Sequence, residues 1–237
     1  MKLILNKIEK NFGEKTVLKG CDCVFEQGKV YGLLGRNGAG KTTLFNAIYG
    51  EYDDIKGTAL LDIDGEQRAL NPDEIEMIYA QPMLPEFLTG YEFIKFYIDV
   101  HARNKKVDIP ELFRRLSFDA KDADRLIKGY SSGMKSKLHI MTLLISRPKV
   151  MLLDEPLTSL DVVVANEIKN ILLGFKSEHI IILSTHIMQL AKDMCDEIVL
   201  LKGGKLETLA SLDKNSDDYE DAIISSLTDD AHQGREV

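Results

Sequence analysis

One stretch, Gly35-Arg36-Asn37-Gly38-Ala39-Gly40-Lys41-Thr42-Thr43, constrains this chain more than any other. It follows the short apolar run Lys29-Val30-Tyr31-Gly32-Leu33-Leu34, which predicts a buried strand, and precedes Leu44-Phe45-Asn46-Ala47-Ile48-Tyr49, which predicts the body of a helix. Strand, loop and helix in that order are the context in which G-x-x-x-x-G-K-[ST] is a phosphate-binding loop. Glycines let backbone N–H groups close around a phosphate with no Cβ in the way, and a helix opening at Lys41 aims its unpaired N–H groups and positive dipole end at the same anion. Lys41 adds a point charge for the β- and γ-phosphates, and the Thr42 hydroxyl can ligate Mg2+. Gly35, Asn37, Gly38, Gly40, Lys41, Thr42 and Thr43 are therefore the first candidate nucleotide-binding residues. The loop implies nucleotide binding without saying what the nucleotide drives.

Composition narrows the rest. With 237 residues, 44% hydrophobic and 29% charged, the chain can bury a full core as one large α/β domain, with or without a small subdomain. No uninterrupted apolar run approaches bilayer-spanning length, and Met1-Lys2-Leu3-Ile4-Leu5-Asn6-Lys7 turns polar too soon for a signal peptide, so the expectation is a soluble, cytoplasmic protein. A formal net charge of −8, with basic residues grouped only in stretches such as Arg103-Asn104-Lys105-Lys106, argues against nucleic acid as a partner. Cys21 and Cys23 share one face of a predicted strand and Cys195 is remote, so no four-ligand zinc spacing exists.

Residues 2–26 alternate apolar and polar with a turn at Gly13-Glu14-Lys15, predicting two antiparallel strands with Phe12 at the turn. Strands are predicted over 29–34, 58–63 and 74–80, and the loop's helix over 41–49, ending at Gly50. Thr89 can cap a helix over 91–100, and shorter helical stretches follow at 110–116 and about 121–127. The region from about 90 to 145 is thus expected to be an α-helical subdomain inserted in the core, its last helix opening at Ser132-Gly133 and stopping at Arg147-Pro148. Val150–Leu153 and Ile180–Leu183 are continuous apolar runs, the pattern of parallel strands buried on both faces. Asp161 can cap a helix to Phe175, a short helix is expected over 187–191, and 198–201 with 205–208 form a hairpin around Gly203-Gly204. The expected fold is α/β: a P-loop NTPase core with a mostly parallel sheet, an N-terminal antiparallel β subdomain and the helical insertion. It occupies 1–211, and 212–237 form an acidic tail with one short helix at 219–227.

The strand at 150–153 ends at Asp154-Glu155. A carboxylate just past the carboxyl end of a strand beside the loop can reach Mg2+, which suits Asp154, while Glu155 is placed to polarise an attacking water. Here the sequence resembles a known family. Gly35–Thr43, Gln81, Tyr130-Ser131-Ser132-Gly133-Met134-Lys135, Asp154-Glu155-Pro156, Ser159-Leu160-Asp161 and His186 stand in the order shown by ATP-binding cassette (ABC) proteins, over about residues 1–210. The resemblance implies Phe12 as the aromatic that stacks on adenine, although the residues alone favour a hairpin core residue. It implies Gln81 as a contact to Mg2+ and the water, His186 as a hydrogen-bond partner of the γ-phosphate, and Asp161 as a residue of the dimer seam. Ser131 and Gly133 would grip a γ-phosphate. The signature departs from L-S-G-G-Q at Tyr130, Ser132 and Met134, and the form Y-S-x-G-M-x-x-K is similar to that of ABC-2 type drug and peptide export cassettes.

In this family the signature serves the partner's nucleotide. The resemblance therefore implies a head-to-tail dimer of two copies sandwiching two Mg-ATP, coupled to an integral membrane permease subunit that docks near Gln81–Leu88 and holds the chain peripherally at the inner face of the membrane. Met83–Leu88 is apolar for a loop, which fits either a docking patch or a loop tucked onto the helical subdomain. The alternative function is a soluble, non-transport ABC-type ATPase acting in assembly, repair or translation.

Overall fold

The computed structural model describes residues 1–101, 107–158, 160–209 and 219–228. The basic stretch at 103–106, Ser159 of the predicted seam motif, and the tail at 212–218 and 229–237 lie outside them. Two sheets form the body. β1 (Lys2–Phe12) and β2 (Lys15–Glu26) pair antiparallel, followed by β3 (Val30–Leu34), α1 (Lys41–Tyr49), β4 (Lys56–Ile63), β5 (Glu66–Ala69) and β6 (Ile75–Ile78). The helical insertion comprises α2 (Gly90–His101), α3 (Ile109–Arg115), α4 (Ala120–Ala123) and α5 (Ser132–Ser146). β7 (Val150–Asp154), α6 (Val162–Phe175), β8 (Ile180–Ser184), α7 (Met188–Met194), β9 (Glu197–Lys202) and β10 (Lys205–Thr208) complete the core, and α8 (Tyr219–Thr228) packs on it.

The first sheet has the order β2-β1-β4-β5, all antiparallel, and the second β10-β9-β3-β8-β7-β6, parallel throughout except for the β9-β10 hairpin. The apolar runs now have their reason. Val150 and Leu152 of β7 face α1 and the antiparallel sheet, while Met151 and Leu153 face α5 and α6, and all four are fully buried. A strand covered on both sides needs no polar face, and each such side chain contributes roughly 1.5–3 kcal/mol of burial.

Local signals set the boundaries. α1 ends at Gly50, which takes the left-handed conformation (φ 90°) and returns its N–H to Asn46 O. Thr89 caps α2: its Oγ1 accepts from Glu92 N–H at 3.1 Å while Glu92 Oε2 accepts from Thr89 N–H at 2.8 Å, a reciprocal capping box. β5 escapes the sequence reading because all four of its side chains are exposed and none alternates. The helix expected at 121–127 is shorter, because Arg125 donates to Asp122 Oδ1 and Gly129 O and turns the chain into a 3-10 segment at Ile127–Gly129.

The insertion is tied to the core by one carboxylate. Glu76 of β6 accepts from Tyr97 Oη (2.9 Å) of α2, Thr142 Oγ1 (2.6 Å) of α5, and Ser146 Oγ. Tyr219 and Ile223 bury themselves in the same apolar cluster as α6 and α7, so α8 is part of the body. No helix among the described residues is long and apolar enough to cross a membrane.

Candidate nucleotide site

The loop between β3 and α1 closes with Gly38 at φ 79° and Gly40 at φ 104°, values that L side chains rarely adopt. A Cβ on Gly40 would also stand 2.7 Å from Val17 Cγ1. Gly40 caps α1 with no side chain, leaving the first-turn N–H groups free to meet an anion. A cleft of about 490 Å³ opens in front of them, lined by Lys15, Val17, Asn37, Gly38, Gly40, Lys41, Thr42, Thr43, Ala80, Asp154 and Glu155. Lys41 lies buried with Nζ donating to Gly35 O at 3.0 Å, so its charge already sits under the cradle.

The acidic side is equally ordered. Thr42 Oγ1 donates to Asp154 Oδ2 at 2.6 Å, which places two hard oxygen donors side by side at the mouth of the cradle. Glycine backbone on one side and a hydroxyl–carboxylate pair on the other fit a magnesium-bound polyphosphate, since Mg2+ is held by one or two protein oxygens together with substrate phosphates. Glu155 adopts φ 50°, a left-handed conformation costing about 1–2 kcal/mol for a residue with a Cβ. That turn carries its side chain away from Asp154 to His186, whose Nδ1 lies 2.9 Å from both carboxylate oxygens, and to Thr158, whose Oγ1 donates to Oε2 at 2.9 Å.

Other predicted residues lie elsewhere. Gln81 is exposed just beyond Ala80, where the cleft lining stops. Phe12, 47% exposed, meets Tyr52 edge-on at 5.8 Å outside that lining, and Lys10 Nζ stands over both rings while pairing with Asp54. Ser131 caps α5, its Oγ accepting from Met134 N–H at 3.2 Å. Ser132 follows as the first helical residue without positive φ, so a Cβ is tolerated where the common signature has glycine. Gly133 faces the first turn of α6, its Cβ position 3.4 Å from the Val164 methyls, and Asp161 caps that helix by accepting from Val163 and Val164 N–H at 3.0 Å. Ser131, Gly133 and Asp161 thus form a second group, and none of them lines the cleft.

The apolar loop at 83–88 divides between its two readings. Met83 and Phe87 are 77% and 78% exposed, whereas Leu84 and Leu88 pack against the core. Lys135 reaches Glu86 Oε1 at 2.5 Å and links this loop to the signature helix. Sequence reasoning missed Thr158 and Ser184, whose hydroxyls contact the two site carboxylates; only strand register brings Ser184 beside Asp154.

The phosphate cradle on a helix N-terminus, with a hydroxyl–carboxylate pair at its mouth, defines a phosphate-loop nucleotide-binding protein. The ABC transporter family model matches residues 18–158, and the chain belongs to that family as a magnesium-dependent, ATP-hydrolysing cassette. It is 29% identical over 228 residues to an uncharacterized ABC transporter ATP-binding protein of Bacillus subtilis, covering 94% of this chain and 73% of the relative. It is 34% identical over 201 residues to the fluoroquinolones export ATP-binding protein of Mycobacterium tuberculosis, covering 83% of this chain and 66% of that protein. The lantibiotic transport ATP-binding protein SrtF of Streptococcus pyogenes is 31% identical over 206 residues, with 86% and 88% covered. Among solved structures, the ATP binding subunit of an ABC transporter superposes with a TM-score of 0.81 at 25% identity, covering 96% of this chain and all of the other. A dimeric ATP-binding cassette bound to ADP and Pi shares the fold at TM-score 0.71 and 21% identity, over 89% of this chain and all of that one.

Proposed function

We propose that the chain is the ATPase subunit of a multi-subunit ABC exporter of the ABC-2 type, moving a drug, peptide or similar compound, and that it works as a head-to-tail pair. The observation that carries this reading is the division of the site: Ser131, Gly133 and Asp161 gather at the N-termini of α5 and α6, outside the cleft that holds the phosphate loop. A second copy, turned head to tail, would bring its Ser131 hydroxyl and α5 N-terminus to the γ-phosphate. The export and transport functions of the mycobacterial and streptococcal relatives support the exporter class.

In this reading the loop residues Gly35, Asn37, Gly38, Gly40, Lys41 and Thr43 hold the phosphates and Phe12 stacks on the base. Thr42, Asp154 and Gln81 would hold Mg2+, which would supply positive charge against that of the phosphates. Glu155 takes the proton of the attacking water. His186, held with Nδ1 2.9 Å from the Glu155 carboxylate, would meet the γ-phosphate through its other ring nitrogen. Residues 1–211 form the cassette, and 212–237 are its acidic tail, whose helix α8 packs back onto the body. Met83 and Phe87 meet the cytoplasmic face of a membrane permease and hold the subunit peripherally at the membrane.

The test is steady-state ATP hydrolysis against protein concentration. A site shared between copies makes the rate per chain rise with concentration; a constant rate over the whole range contradicts the pair. Lys41→Ala, which removes a charge-assisted contact, should weaken ATP binding about 10–100-fold by equilibrium titration.

A further inference from the structure

The geometry points to Ser184 as a positioning residue that sets both site carboxylates through one hydroxyl. The inference rests on the ATPase reading above. β7 and β8 run parallel in a register that pairs Asp154 with Ser184, the last residues of their strands. Ser184 is completely buried there, with Oγ donating to Asp154 Oδ1 at 2.6 Å and accepting from Glu155 N–H at 3.0 Å.

Each bond has a consequence. A serine hydroxyl has a single proton to donate, and here it engages Oδ1, turning Oδ2 towards Thr42 Oγ1. Asp154 then presents one oxygen, in keeping with the compact octahedral shell of Mg2+, instead of chelating it with two. The second bond holds the Glu155 N–H at the point where the chain enters its left-handed turn, and that turn delivers the carboxylate to His186 and Thr158. Ser184 touches neither nucleotide nor metal in this account. Its neighbours Leu183 and Thr185 are also buried, so the hydroxyl cannot be replaced from bulk solvent.

The test uses the full chain carrying Ser184→Ala and, separately, Ser184→Cys, which keeps the volume while weakening both hydrogen bonds. ATP is titrated in EDTA and then at stepped MgCl2 concentrations, with kcat and KM measured in parallel. Outer-shell partners of metal ligands are worth about 10–100-fold, so both variants should need about tenfold more Mg2+ for half-maximal ATP binding and lose at least about tenfold in kcat, while metal-free ATP affinity stays within about twofold of wild type. Mg2+ requirement and kcat both within about threefold of wild type would overturn the inference, because the expected outer-shell effect is larger. So would a fall in metal-free affinity equal to that with Mg2+, or loss of a cooperative thermal transition in both variants, since each marks a general structural role. A wild-type chain that hydrolyses no ATP sinks the parent reading; an active wild type with indifferent variants sinks only this one.

Discussion

Gly90→Ala separates helix propensity from packing because the two predict opposite signs. Gly90 opens α2, where alanine is intrinsically favoured over glycine by up to about 1 kcal/mol. The structure places a Cβ at this position 2.2 Å from Tyr130 Oη, 3.1 Å from Tyr130 Cζ and 3.3 Å from Phe113 Cζ. Tyr130 cannot step aside freely: it is 6% exposed and its hydroxyl donates to Asp122 O at 2.5 Å. Forcing a methyl into such a contact costs about 1–3 kcal/mol, and breaking the hydroxyl bond adds about 1 kcal/mol. Net destabilisation of roughly 1–3 kcal/mol lowers the thermal midpoint of a chain this long by roughly 2–12 °C, readable by differential scanning calorimetry. Tyr130→Phe removes the nearest atom, so Gly90→Ala should cost distinctly less in that background. A raised midpoint for Gly90→Ala alone, or an equal cost in both backgrounds, would refute the packing argument. Since Tyr130 precedes Ser131 directly, the same contact fixes where the signature begins.

Burial holds the imidazole of His139 down to about 4 from an ordinary 6.5, and its Nδ1 has no hydrogen-bond partner among the described residues. Its contribution is complete above about pH 6.5 and is lost as pH falls towards 4, amounting to about 3 kcal/mol; His139→Gln should flatten the denaturation profile across that window. Phe87→Ser, and likewise Met83→Ser, should leave stability within about 0.5 kcal/mol and ATP affinity unchanged while releasing the membrane permease on co-purification; retention of the permease would count against docking through this loop. Leu88→Ser should instead lower stability by about 1–3 kcal/mol, because Leu88 packs against the core.

Much of this fold is legible in the sequence because its local signals and its packing agree. The glycines at 40 and 50 bracket α1 to the residue, and Asp161 caps α6 as its position before the apolar run predicts. The runs at 150–153 and 180–183 are parallel strands because both faces of that sheet are covered. What escaped lacks a local signal. β5 is an exposed edge whose pairing with β4 is its only definition. Ser184 and Thr158 look like the polar end of a strand and an ordinary turn residue, and only register and the left-handed turn at Glu155 bring their hydroxyls to the carboxylates. Glu76, an unremarked acid in a short strand, anchors three hydroxyls from two helices remote in sequence. The loop at 83–88 could not be assigned to docking or to packing from composition, since alternate residues do each.

The central claim is that one chain holds half of a site completed by a second copy. Glu155→Gln keeps the shape of the side chain at the His186 and Thr158 contacts while removing the carboxylate. Its mass by light scattering in excess Mg-ATP is the most direct measurement. A stable species of twice the chain mass, dispersing when nucleotide is removed, is the predicted result; a variant that remains monomeric with wild-type turnover would contradict it.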